Sequence, residues 1–398
     1  MRTALVGFVV ATVFNVSIAH GQVPPNIAEG LKKIGPIVDP ACTAKLYRPL
    51  MPKNDYNTYW PPDAPAPAST AQLYPGITIT RDQSFGPDPK DVVDIFSADK
   101  GGGNRPVLIY VPGGAGNKIE QQAREGNAFY DNIGRWATKN GMVGVLIQRH
   151  PGSGNWDDGG RDISKAVDWL SDNVAKYKGD PKRMFIWAHS AGNGPLGVYI
   201  GHADRWPKGV AVKGAIFTSG NPVPGLGGGG RGAGAPGGGR GPGGPGGAPS
   251  GPQAGEACGM VGTALGSEGA IAGPSGARAG GPGGGRGAGG GRGGFGQQLT
   301  PEQQAERDNL PGFKKTDVKI MLVRAEFDPG VMGDMTAADK ALHDELCKLD
   351  GSKAKDSVGH CPAMLFAKGE SHMSEVFSID TDDKIVTAPV LAWMKKVK

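Results

Sequence analysis

The sequence predicts an α/β fold, a mostly parallel sheet with helices on both faces. Two patterns point there. Apolar runs of strand length alternate with stretches of helical periodicity along most of the chain. Several of those runs, such as RPVLIYVP (105–112) and MVGVLIQ (142–148), are apolar at almost every position, as strands covered on both faces are.

The elements follow in order. GITIT (76–80) and VVDIF (92–96) read as opening strands, and 105–112 as a buried one. A helix carrying Phe129 and Trp136 precedes the strand 142–148. Ile163, Ala166, Val167, Leu170 and Val174 recur at helical spacing over 162–177. Then come the strand RMFIWA (183–188), a helix from Ala191 and the strand VKGAIF (212–217). The alternation resumes with VKIMLV (318–323), a helix around 336–348, AMLFA (363–367) and a closing helix near 383–396.

Between 222 and 300 the composition collapses to Gly, Pro, Ala and Arg, and about half of the 69 glycines sit there. Too few large apolar side chains remain to offset ordering entropy, so this insert is expected to be disordered. It connects two strands and can loop out without disturbing the sheet. The island EACGMVGTALGSEGAIAG within it reads as loop or as a small lid.

Residues 1–21 have an early Arg2, an apolar stretch and Ala19-His20-Gly21, the layout of a cleaved export signal. Asn15 interrupts the stretch, which falls short of the ~20 residues of a bilayer span; an uncleaved anchor is the competing reading. The chain then divides into a signal (1–21), an N-terminal extension (22–71), a first core part (72–221), the insert (222–300) and a second core part (301–398). Without signal and insert about 300 residues remain, enough for one large domain. The expected compartment is extracellular or periplasmic.

Four cysteines, Cys42, Cys258, Cys347 and Cys361, suit an oxidising compartment and allow three pairings. Cys347–Cys361 is favoured because it closes a short loop, a stabilisation of about 3 kcal/mol on the chain-entropy estimate. Cys42–Cys258 follows by elimination. The net charge of +5 is modest, and five arginines of the insert against two glutamates supply part of it. R-G-G-like pieces can bind RNA, but the export signal argues against nucleic acid.

The chemistry centres on residues 184–194, MFIWAHSAGNG. A serine on a sharp strand-to-helix turn adopts strained φ/ψ and needs small neighbours two positions either side. Ala188 and Gly192 meet that demand around Ser190. The Ala191 amide opens the following helix and can stabilise an oxyanion. In VPGGAG (111–116), the Gly113 and Gly114 amides can complete the hole.

A general base and an orienting acid should follow in the order Ser, acid, His. His343 falls in a helix and His360 opens a strand, whereas His372 lies in the loop after the strand, where a mobile base belongs. Asp328, before the turn-forming Pro329, is the first choice of acid; Glu326 is its main rival and Asp334 a distant one. A Cys347–Cys361 bridge would brace the segment between acid and base. His150, Trp156 and Asp157 are candidates to line the pocket or plain loop residues, His189 to pack beneath the elbow, and Asp162 to cap the helix after it.

These motifs, with GPDPKDVVDIF (86–96), EFDP (326–329) and SHMS (371–374), resemble the α/β-hydrolase fold esterases. The similarity is to secreted bacterial carboxylesterases and to the acetylxylan/feruloyl-esterase-like branch, and it spans the chain from about 72 onward outside the insert. It implies Ser190 as nucleophile, Asp328 as acid, His372 as base, and amides of Gly113, Gly114 and Ala191 as oxyanion hole. Pro112 stands where the family usually has a histidine before the paired glycines, and Ala188 replaces the first glycine of the elbow. The expected substrate is a carboxylic ester, small or polymer-attached, cleaved without metal or organic cofactor. A peptidase or amidase on the same triad and a non-catalytic adhesion protein are the rivals.

Overall fold

The computed structural model describes residues 23–51, 74–114, 129–150, 155–226, 300–329, 331, 334–350 and 359–397. The expected export signal, Cys258 and all but the ends of the glycine-rich insert lie outside them.

Eight strands form one sheet: β1 (Ile77–Ser84), β2 (Val92–Ala98), β3 (Arg105–Val111), β4 (Val143–Ile147), β5 (Gly179–His189), β6 (Gly214–Thr218), β7 (Lys319–Phe327) and β8 (Ala363–Ser371). Their order is β1-β2-β4-β3-β5-β6-β7-β8. The two opening strands run antiparallel, with Ile77 opposite Ala98 and Val93 opposite Ile147, and every later pairing is parallel.

Side chains alternate across the sheet, and each face builds its own core. Leu108, Tyr110, Phe185, Trp187 and Ile216 point to one face. There they meet Ile133 and Trp136 of α3 (Asp131–Lys139) and Val390 and Trp393 of α10 (Thr387–Lys396). Val107, Ile109, Ile186, Ala188 and Phe217 face the other way. They pack with Ile163, Val167 and Leu170 of α4 (Asp158–Asn173), Leu196 and Tyr199 of α5 (Asn193–Gly201) and Leu342 of α8 (Ala337–Asp350). Central strands apolar on both faces explain why their sequences lack a polar alternation.

Two helices lie where no element was expected, α1 (Pro25–Ile34) and α2 (Pro40–Tyr47). Each opens on a proline, whose missing N–H costs nothing in a first turn, and Asp39 caps α2 by accepting from the Cys42 amide at 2.9 Å. Ile27, Leu31 and Tyr47 are buried in the same core as Phe377 of the short α9 (Ser374–Phe377).

The first residue of the insert is held by a side chain that follows the insert's end. Asn309, at the start of α7 (Leu310–Lys315), donates to the Pro222 carbonyl at 2.7 Å, just after α6 (Pro301–Glu306), whose capping box is Thr300 and Gln303. Cys347 and Cys361 are joined as expected. Cys42 is also disulfide-bonded.

Candidate active site

β5 ends at His189, and Ser190 follows it with φ +52, a left-handed conformation that is strained for any residue with a Cβ. Close approach of the β3 loop makes the glycines obligatory. A Cβ on Gly192 would lie 2.7 Å from the Val111 carbonyl oxygen and 2.8 Å from that of Pro112. One on Gly113 would lie 2.8 Å from Ser190 Cβ. Gly113 therefore sits directly against the serine. Asn193 clamps the turn, donating at 2.8 Å to the carbonyls of both Ser190 and Thr218.

Ser190, His372 and Asp328 form one hydrogen-bonded chain at the carboxyl edge of β5, β8 and β7. His372 Nε2 is 2.8 Å from Ser190 Oγ, and Nδ1 is 2.5 Å from Asp328 Oδ1. A carboxylate only accepts, so the ring proton sits on Nδ1 and the serine hydroxyl donates to Nε2. Asp328 is buried; burial alone would raise its carboxyl, but hydrogen bonds and charges from His372 and Arg324 outweigh that and hold it at about 2.

The rival acids are engaged elsewhere. Glu326 Oε2 accepts from the Gly369 amide at 2.7 Å, and the exposed Asp334 pairs with Lys340. His343 lies 3.3 Å from Cys347 Sγ, and His360 bonds Asp350 at 3.1 Å.

Supporting groups that sequence reading missed surround the chain. Arg324 donates to Asp328 Oδ2 at 2.9 Å and grips both oxygens of Asp339. Glu375 is fully buried and accepts from Ser219 Oγ; burial first, then the Asp328 charge, pushes its carboxyl well above the ordinary range. Tyr47 of α2 donates to Asp383 at 3.0 Å beside Glu370, two residues before His372. Arg149 donates from Nη2 to the Gly114 carbonyl at 2.9 Å and from Nε to the Pro112 carbonyl at 3.3 Å, bracing the glycine loop. Glu370 and Glu375, which flank the S-H-M-S motif, carried a positional hint.

His189 packs beneath the elbow as expected, its Nε2–H donating to the His372 carbonyl at 2.7 Å. Burial, then the neighbouring His372, pushes its imidazole down to about 3. Asp162 does not cap a helix. α4 begins four residues earlier, at Asp158, and Asp162 accepts from His150 instead. Trp156 and Asp157 sit with the end of α5: the indole packs on His202 and under Arg205, and the carboxylate pairs with Arg161 and Arg205.

Strand order, crossover pattern and the serine turn after the fifth strand decide the fold. It is an α/β-hydrolase fold. Residues 93–205 match the family model described as BD-FAE. The chain is 25% identical over 122 residues to a probable isoprenylcysteine alpha-carbonyl methylesterase of Arabidopsis thaliana, covering 29% of this chain and 23% of that protein. It is 27% identical over 127 residues to a chlorogenic acid esterase of Aspergillus niger, again 29% and 23%. These matches span about a quarter of the relatives' length. A solved bacterial heroin esterase is 14% identical, with 94% of this chain and 98% of that one covered at a TM-score of 0.48. By its sequence matches the chain resembles proteins named as esterases.

Proposed function

We propose that the protein is an exported serine hydrolase that cleaves carboxylic esters through an acyl-enzyme. The observation that carries this reading is the unbroken chain from Ser190 Oγ through His372 to Asp328, presented on a strained turn against Gly113. Ser190 attacks the acyl carbon as its proton passes to His372 Nε2. The amides of Gly113, Gly114 and Ala191 hold the oxyanion, and the imidazolium, stabilised by ionised Asp328, protonates the departing alcohol. Water then takes the serine's part, with His372 again as base, and frees the acid. The esterase names of the relatives support the ester over the amide as substrate.

A fluorophosphonate probe and a pair of substrates test it. The full chain is expected to label at Ser190, to lose labelling in Ser190→Ala, and to hydrolyse p-nitrophenyl acetate far faster than the matching anilide. A folded protein that fails to label would sink the triad, and equal rates on both substrates would make it an amidase. N-terminal sequencing of the exported protein tests cleavage after residue 21.

A further inference from the structure

A buried carboxylate oxygen and a ring nitrogen, neither with a hydrogen bond, face each other at the edge of the sheet that carries Ser190. Asp91 is 0% exposed just before β2, and its Oδ1 has no hydrogen-bond partner. That oxygen lies 3.7 Å from His150 Nε2, itself buried and without a hydrogen-bond partner, just after β4. Asp88 Oδ1, from the turn before β2, stands 3.5 Å from the same nitrogen. On the far side of the ring, Nδ1 is 3.0 Å from Asp162 Oδ2.

The Asp162 bond puts the ring proton on Nδ1, which leaves a lone pair on Nε2 aimed at two carboxylate oxygens. Such a grouping repels itself unless positive charge lies between. A proton does not fill the gap well, because 3.5 and 3.7 Å exceed the 2.7–3.2 Å of a good N–H···O bond. A metal ion does. With metal–ligand bonds of about 2.1 Å, each of those two separations subtends roughly 110–125° at a bound ion. Lys165 does not supply the charge, since its Nζ is 3.9 Å from the other oxygen, Asp91 Oδ2, which also accepts from the Asp88 amide.

We infer that Asp88, Asp91 and His150 bind a divalent cation of the zinc type, with Asp162 orienting the imidazole. A carboxylate behind the ring is the usual way a ligand histidine is held in tautomer and direction. The imidazole selects against calcium and magnesium, which prefer all-oxygen shells. Asp88 is half-exposed, so the remaining position opens to water. The cation ties the β1–β2 turn, the end of β4 and α4 together. It thereby steadies Arg149, the neighbour of His150 that braces Pro112 and Gly114.

The test reads binding rather than turnover, so it stands apart from the esterase reading. The full chain, stripped with EDTA, is titrated with ZnCl2 and separately with CaCl2 by calorimetry and thermal melting. One Zn2+ per chain with a higher Tm, and no response to Ca2+, is the expected result. Asp91→Asn abolishes binding, and Asp162→Asn weakens it about 10–100-fold. Should Asp91→Asn fail to fold, Asp88→Ala on the exposed turn is expected to weaken binding at least about tenfold. No stoichiometric binding, or binding unchanged in Asp88→Ala and His150→Gln, overturns the site; an equal response to Ca2+ overturns its zinc character.

Discussion

Arg324 Nη1 lies 2.9 Å from Asp328 Oδ2, the oxygen that His372 leaves free. The same guanidinium holds Asp339 and the Gly220 carbonyl, so one buried cation serves two buried carboxylates. Removing it strands both. Arg324→Met is expected to cost about 3–5 kcal/mol in urea unfolding, the range for breaking a buried pair. It should also raise the Asp328 carboxyl and move the acid limb of kcat/KM to higher pH. Arg324→Lys keeps the charge but loses the fork, and should restore the limb more than the stability. An acid limb unmoved in Arg324→Met would show that Arg324 does not tune the acid.

Gly113→Ala and Gly192→Ala each push a methyl against atoms that cannot yield. Two of the contacts at Gly192 are main-chain oxygens of the neighbouring loop, at 2.7 and 2.8 Å, and Gly113 meets Ser190 itself. In the proposed mechanism, displacing either segment spoils the alignment of amides and hydroxyl. We expect kcat to fall roughly 10²–10³-fold in each, as when an oxyanion donor is lost, with KM little changed. Steady-state kinetics on p-nitrophenyl acetate decide it, and a variant with wild-type kcat would remove the loop from the site.

What the sequence revealed was local, and what it hid was long-range. Apolar runs exposed the central strands, and the small residues around Ser190 exposed the turn, because both demands act within a few positions. Chain order and a turn-forming proline singled out His372 and Asp328, the two side chains that the fold brings into hydrogen-bonding line with Ser190. Arg324 was not: one arginine in an apolar strand carries no mark of the two aspartates it will meet. Glu375 and Ser219 are 156 residues apart, and no periodicity links them. The antiparallel edge and the docking of α1 and α2 depend on the completed sheet. Yet Pro25, Asp39 and Pro40 were helix-start signals that could have disclosed both helices. Asp162 lies inside α4 rather than before it because the helix begins through the poor helix formers Gly159 and Gly160.

His189 gives the fold an acid-side weakness. An unfolded imidazole takes its proton near 6.5, whereas His189 in the fold resists until about 3. Between those values the unfolded chain binds more protons, so this contribution to stability is lost as pH falls from about 6.5 towards 3. Its slope reaches up to about 1.4 kcal/mol per pH unit. His189→Gln keeps an amide donor near the His372 carbonyl without the titration. Its Tm should fall less steeply than that of the wild type across this window; parallel curves would clear His189 of the effect.

Glu375 acts in the opposite direction. Its carboxyl stays protonated well above the ordinary range, because burial and the charge of Asp328 disfavour the anion. A raised acid contributes stability below its unfolded pKa, near 4.3, and that contribution is lost as pH rises towards the folded value. Glu375→Gln keeps the shape and an acceptor for Ser219 while removing the proton to be lost. The variant should match the wild type in Tm near pH 4 and exceed it increasingly as pH rises above that. Ser190, His372 and Asp328 are untouched, so turnover at neutral pH should persist. A variant less stable than the wild type at pH 8 would mean that Glu375 is ionised in the fold and that Arg324 balances three carboxylates rather than two.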